Sequence, residues 1–372
     1  MTNKIWGWGS TPANGLNSGL FYATPTQIGT LDWTYIDGKG QVQAAIRSDG
    51  TLWVWGSDYQ GSLGQGTNNV SKSSPVQIAG TWSKVSAGRA MVAAIKSNGT
   101  LWVWGFNLSG ELGQGDTTHR SSPTQVGAQT DWAEVTCGNF GVWAVKTTGK
   151  LYVWGGNSFG QLGLNDTVSR SSPVQVGTLT NWKRTKSAAL GNNTALFLKT
   201  DGTLWGVGQN SHSEIGDGTA ITRSSPVQTG SATDWIDMAI GQSNGAGIRG
   251  TGGQGTLWQW GGQDYGEGPV GNSSIPIQLG AAADWTFCHK VGQQSWGIRA
   301  PGKLFSWGRN ASGVSGDPAA GSNSPIQVGT GTDWLIVTGG DNSGASIYGV
   351  GGMRVASAAA PNPKILTMTG AG

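Results

Sequence analysis

The sequence predicts an all-β fold: a seven-bladed β-propeller of four-stranded antiparallel blades, its ring closed by pairing of the N- and C-terminal strands. Three signals that recur in register predict it. A Trp, usually preceded by Asp, stands at positions 33, 82, 132, 182, 235, 285 and 334, at intervals of 49, 50, 50, 53, 50 and 49. A Pro followed two residues later by Gln recurs at Pro25, Pro75, Pro123, Pro173, Pro226, Pro276 and Pro325. An apolar run ending in Gly, Leu52-Trp53-Val54-Trp55-Gly56, returns at 101–105, 151–155, 257–261 and 304–308, with weaker copies at 204–208 and 5–9. Self-similarity at a fixed period of about 50 residues marks a repeat architecture, and four short strands per repeat mark a propeller blade.

One repeat shows how each strand is read. Ala133-Glu134-Val135-Thr136-Cys137-Gly138 is a short strand stopped by Gly. Gly141 to Lys146 alternates with period two, as a strand between two environments does. Thr148-Gly149 is a turn, in the place where Asp49-Gly50, Asn98-Gly99 and Asp201-Gly202 stand elsewhere; such pairs supply the positive φ of tight hairpins. Leu151-Tyr152-Val153-Trp154 suits a pleated surface. After a loop from Gly155 to Arg170, Ser172 to Val176 is the last strand, where Pro173 is tolerated because an outer edge need not donate to the ladder. No amphipathic helix of ten residues is visible. A lone blade leaves both faces uncovered, so most of the 20 Trp are expected between neighbouring blades.

The ends complement each other. The chain enters at a third strand, Ile5 to Trp8, and leaves after two strands expected at Asp333–Val337 and Ala345–Val350. Residues 1–352 are therefore read as one propeller domain, the seventh blade shared between residues 4–29 and 333–350. Pairing the ends hides two strand edges that would invite aggregation. Residues 353–372 carry no repeat signal and read as a C-terminal tail.

The loop after the third strand adds a longer signature. It reads Asn98-Gly99-Thr100-Leu101-Trp102-Val103-Trp104-Gly105-Phe106-Asn107-Leu108-Ser109-Gly110-Glu111-Leu112-Gly113, and again Asn157-Ser158-Phe159-Gly160-Gln161-Leu162-Gly163. With these motifs the chain resembles the regulator of chromosome condensation repeat family over residues 4 to about 350. The resemblance implies the propeller already derived and a rigid disc whose loops bind another macromolecule. Its members include an exchange factor for the GTPase Ran, plant ultraviolet photoreceptors, β-lactamase inhibitor proteins and ubiquitin-ligase targeting domains. Fold alone does not choose among these. The basic tail used for chromatin binding has no counterpart before Lys4, and the photoreceptor motif Gly-Trp-Arg-His-Thr is absent.

Composition narrows the chemistry. Charged residues are 12% of the chain and the formal net charge is +3, too weak a field to expect nucleic-acid binding. No apolar stretch reaches the length of a membrane-spanning helix, and the N-terminus has no signal-peptide core. The three histidines, His119, His212 and His289, fall in different blades. No Ser/His/Asp set, nucleophile elbow, zinc spacing or calcium loop is present, so neither catalysis, metal nor cofactor is expected. Cys137 and Cys288 are expected to be free structural thiols.

Departures from the repeat nominate a contact surface. Trp to the next Leu spans 19 residues in most copies but 22 from Trp182 and from Trp235. The first insertion lies within 183–193, the second is read as an enlarged turn at 249–255, and the loop 263–269 is also unusual. The candidate partner-binding residues are Lys183, Arg184, Lys186, Asn192, Arg249, Gln254, Tyr265 and Glu267. Arg120, Arg170 and Arg223, each preceded by an acid in its own loop, are expected to form local ion pairs, with a cationic stripe as the alternative. The expected function is a non-enzymatic protein-binding or structural module. Its expected setting is the surface of a large assembly such as a phage or virus particle, contacting capsid or tail proteins. The alternatives are a soluble cytoplasmic regulator that docks on an enzyme, and an exchange factor for a small GTPase.

Overall fold

The computed structural model describes residues 3–9, 22–39, 42–187, 193–262, 272–291, 294–308, 322–339 and 350–355. Within them, twenty-eight strands form seven antiparallel four-stranded units. Blades 1 to 6 each follow chain order and begin at Trp33, Trp82, Trp132, Trp182, Trp235 and Trp285. Blade 7 combines Trp334–Gly339 and Val350–Val355 with Asn3–Gly9 and Tyr22–Gln27. The first strands pack against one another around the ring, including Trp334–Gly339 against Trp33–Lys39, so they form its inner wall. The Pro-bearing strands are outermost, as the missing N–H requires.

The period-two alternation of Leu-Trp-Val-Trp divides each third strand between two neighbours. Leu52 and Val54 pack with Trp82 and Val85 of blade 2, whereas Trp53 and Trp55 pack with Ile5, Trp33 and Met353 on the blade 7 side. Trp102 and Trp104 face back to blade 1 while Leu101 and Val103 face blade 3. The core is thus a set of inter-blade wedges, each filled by strands from two repeats.

Polar groups of the inner strands stitch neighbouring blades. The Asp37 carboxylate accepts the N–H of Ala87 at 3.1 Å, Ser86 Oγ that of Cys137 at 3.1 Å, and Asp237 that of Cys288 at 3.0 Å. Thr338 Oγ1 accepts the Gly38 N–H at 2.7 Å and so joins blade 7 to blade 1. Cys137 and Cys288 are both buried thiols outside any disulfide, and burial pushes the Cys137 thiol up to about 12.

Two details differ from the sequence reading. The second strand of blade 7 is Val350–Val355, running past the Gly352 at which the ring was expected to end. A Cβ on Gly352 would meet the Trp334 ring at 2.6 Å, as one on Gly247 or Gly297 would meet Trp235 or Trp285. The glycine there makes room for the indole and does not stop the strand. The insertion at 249–255 is also no enlarged turn. It lengthens the hairpin to Asn244–Thr251 and Gln254–Gly261, closed by Gly252-Gly253 at φ 66° and 83°, both in the left-handed region that a two-residue turn demands. The added length lets Gly255 pair with Trp285, fusing blades 5 and 6 into one eight-stranded sheet.

Candidate protein-binding face

The meander gives the disc two unlike faces. Turns from first to second strand and the long loops from third to fourth strand share one, the loop face. Tight hairpins and inter-blade linkers share the other, the hairpin face.

Each described long loop, in blades 1 to 4, is ordered from within. In blade 2, Asn107 Oδ1 accepts the Leu112 N–H at 2.8 Å, and Asn107 Nδ2 donates to the Thr118 carbonyl at 3.0 Å. Asn157 and Asn210 repeat this in blades 3 and 4, and Asp58 accepts the Leu63 N–H in blade 1. Arg120, Arg170 and Arg223 pair with Asp116, Asp166 and Asp217 at 2.6, 2.5 and 2.6 Å. The Thr118 N–H and the Arg120 guanidinium hold the Asp116 carboxyl below the usual range. These arginines are pinned to their own loops, as the local reading expected.

A Trp of the next blade anchors the loops of blades 1, 2 and 4 from outside. Trp104, Trp154 and Trp260 donate from Nε1 to the carbonyls of Ser62, Glu111 and Glu214 at 3.0, 2.8 and 2.7 Å. Blade 4 has Val207 where that Trp would stand. Its wedge is filled by Trp143 from the second strand of blade 3, which donates to the corresponding carbonyl, Gln161, at 3.1 Å. The weakened repeat at 204–208 is thereby compensated from a neighbour.

Across blades 1 to 3 the loop face carries a groove of about 470 Å³ lined by Tyr59, Arg89, Met91, Phe106, Leu108 and Phe140, with Ala90 and Asn139. Tyr59 stacks on Phe106 at 6.3 Å between centroids, and Phe106 on His119 at 5.3 Å. His119 is fixed because its Nδ1 accepts the Asn107 N–H at 2.9 Å. Leu108 is 63% exposed and Tyr59 49%. Ser158 and Ser211 hold the equivalent place in blades 3 and 4, and Gly156 and Gln209 replace Phe106. The apolar cluster is therefore a local addition, of the kind that marks interaction sites.

Within the blade 2 loop, Glu111 is fully buried. One carboxyl oxygen accepts the Ser109 N–H at 2.7 Å, the other has no partner, and burial pushes the group up to about 7. The folded chain therefore holds a proton that the unfolded chain releases near 4.5, so this group makes stability fall as pH rises from about 4.5 to about 7. Gln161, its counterpart in blade 3, makes the same bond without charge. Glu111→Gln is expected to stabilise the ring by ~1–3 kcal/mol at pH 8 and to be neutral below pH about 4.5. Urea melts at both pH values check this; equal effects at the two would overturn it.

The nominated residues that are described fall on the inner strands and on the hairpin face. Arg184 lies on the inner wall, paired with Asp237 of the next blade at 2.9 Å, and that carboxylate holds it above its usual range. Lys84–Glu134, at 2.8 Å, is the same arrangement between blades 2 and 3. Arg249 pairs with Asp234 at 2.7 Å and lies 4.5 Å from the Trp258 ring centroid. This is a repeated element. Arg47, Lys96, Lys146, Lys199, Arg299 and Arg354 cover the aromatic ring at the same point of their blades. Asp131, Asp284 and Asp333 pair with three of them, which explains the recurring Asp-Trp. Gln254 is exposed beside the hairpin turn, on the face opposite the long loops, and Lys183 is exposed near the hairpin-face end of its strand. Lys186 falls in the inner strand of blade 4. Asn192, Tyr265 and Glu267 lie outside the described residues. Sequence reasoning missed Tyr59, Arg89, Phe106, Leu108 and Phe140. Aligning the loops by their Asn or Asp, and asking where Ser gives way to an aromatic or Leu, would have found the first cluster.

The family model of the Regulator of chromosome condensation (RCC1) repeat matches residues 49–95, 98–145 and 148–198. A comparison with curated proteins returned no match. Among solved structures the chain is similar to human WBSCR16, with 18% identity over 95% of this chain and 99% of that one and a TM-score of 0.81. It is similar to Prp20p from Saccharomyces cerevisiae, described with its binding properties to Gsp1p and histones, with 18% identity over 96% and 92% and a TM-score of 0.81. It is also similar to yeast RCC1 (Prp20) bound to Kap60, with 18% identity over 95% and 90% and a TM-score of 0.79. At such identity the likeness is one of fold. No helix among the described residues is long and apolar enough to cross a membrane.

Proposed function

This chain carries regulator of chromosome condensation repeats, and from that premise we propose that the ring is a non-enzymatic protein-binding module that engages its partner through the loop face. The observation that carries this reading is the apolar cluster on the loop face, in which exposed Tyr59 and Leu108 join half-buried Phe106 and Phe140 around one groove. Rigidity supports it. Loops held by internal Asn and Asp side chains and by the Trp of the next blade lose little freedom on binding, which is the main cost of association. The relatives named above point the same way, since their descriptions name Kap60, Gsp1p and histones as bound. Structural roles for the histidines support the non-enzymatic part: His119 stacks on Phe106, His212 lies 3.4 Å from Glu214, and His289 stacks on Phe287.

The setting that fits the composition is the surface of a larger assembly such as a phage or virus particle. A chain with 12% charged residues and 65 Gly gains little from electrostatic steering and relies on shape. Crosslinking in the native source followed by mass spectrometry tests both levels. Stoichiometric capsid or tail proteins crosslinked to the loop face are the expected result. A soluble enzyme in their place would make the ring a regulator, and accelerated nucleotide release from a small GTPase would make it an exchange factor. With the partner in hand, Phe106→Ala is expected to weaken binding by at least ~10-fold with an unchanged melting temperature. An unaffected affinity would move the contact off this face.

A further inference from the structure

Resting on the protein-binding reading, the geometry points to the chemistry of the bound segment: a short peptide stretch in which an apolar side chain stands beside a carboxylate. The groove is lined by the apolar side chains of Tyr59, Phe106, Leu108, Met91 and Phe140. Among its described lining residues Arg89 alone is charged, and it is exposed. The other ionic groups of this neighbourhood are already used. Arg120 is held by Asp116, and Glu111 is buried within the loop. Arg89, with no ion-pair partner among the described residues, thus sets its guanidinium beside an apolar cleft. Such a guanidinium is best complemented by a carboxylate, whose two oxygens match its fork.

Asn139 adds a second preference. Its Oδ1 has no hydrogen-bond partner among the described residues, and a rotation of the amide offers that acceptor to an N–H of a chain lying in the groove. At about 470 Å³ the space is within the range of clefts that enclose a small ligand. It suits one anchor side chain and its immediate neighbours, not a folded surface. The apolar walls supply affinity and Arg89 supplies selectivity, in the division of labour usual at such sites. An apolar residue followed or preceded by Asp or Glu meets both demands, and the same residue beside Lys or Arg is repelled.

A random heptapeptide library displayed on a surface and panned against the immobilised full chain tests this. The wild-type ring is expected to enrich Leu, Phe, Tyr or Trp beside Asp or Glu. The strongest sequence, made as a fluorescent peptide, should bind at least ~10-fold more weakly to Arg89→Gln and to Phe106→Ala. Its affinity should fall as salt is raised, and panning on Arg89→Glu should shift the enriched charge to Lys or Arg. Arg89 is a surface residue, so near-UV circular dichroism is expected to be unchanged by its substitution. Enriched peptides without acidic residues, peptides indifferent to Arg89→Glu, or no enrichment on the wild-type ring would each overturn the inference. A native partner crosslinked to another loop would overturn the groove while leaving the protein-binding reading standing.

Discussion

A chain ending at Gly349 is expected to lose the cooperative unfolding of the entire ring. The strand Val350–Val355 pairs with Asn3–Gly9 on one side and with Trp334–Gly339 on the other. Without it the two ends of the chain share no ladder. Arg354, which bonds Asp333 and covers the rings of Trp6 and Trp334, goes with it, as does Met353 from the wedge beside blade 1. Domains hold only ~5–15 kcal/mol of net stability, and two strand interfaces with the Trp6, Trp8 and Trp334 cluster are comparable with that total. The measurement is a thermal melt by circular dichroism with size-exclusion chromatography. A truncated chain that melts within a few degrees of the full one would show that the ring stands without its closure. Gly352→Leu offers a milder version, because its Cβ meets the Trp334 ring at 2.6 Å; overpacking of this kind costs about 1–3 kcal/mol.

Trp143→Ala is expected to cost about 3–5 kcal/mol, the usual toll of emptying a buried Trp site. The informative experiment restores the indole from the other side. Val207 occupies the position that Trp104, Trp154 and Trp260 hold in other blades, and both Val207 and Trp143 lie in the same wedge. Val207→Trp alone should destabilise, since two indoles then compete for one space and for the Gln161 carbonyl. Combined with Trp143→Ala it should recover most of the loss. The coupling energy of the double-mutant cycle is therefore large and favourable. Additive single effects in urea melts would mean that the two side chains do not substitute for one another.

The fold was legible because a propeller writes its period into hydrophobic positions. Trp33 to Trp334, the Leu-Trp-Val-Trp runs and the outer-strand Pro each have one geometric job in every blade. What misled was length taken without chemistry. Gly352 resembled the end of a repeat, yet it fits under Trp334 as Gly247 fits under Trp235. The extra residues around Arg249 resembled an elaborated loop, yet the period-two ladder continued through them to a Gly-Gly turn. Arg249 itself looked distinctive only beside the insertion, whereas each blade sets a cation over an aromatic ring at that point. The groove was illegible for a different reason. Tyr59, Leu108 and Phe106 occupy loop positions that the repeat leaves free, so periodicity says nothing about them. Their meaning depends on three blades placing them against Arg89 and Phe140, a juxtaposition between residues 17 to 81 apart in sequence.

The pairing of Asn3 with Val355 has a consequence for how the disc can be held. Both residues lie where second strands hand over to third strands, on the hairpin side. Anything fused before Asn3 or after Val355 therefore departs from the back of the disc, and both attachments leave from nearly the same spot. A fluorophore, a surface anchor or a second domain placed there keeps the opposite side unobstructed. The same adjacency makes the ring a circle with one cut, and a short linker across that cut would let the chain be reopened at Gly252-Gly253 with the order of blades around the disc unchanged.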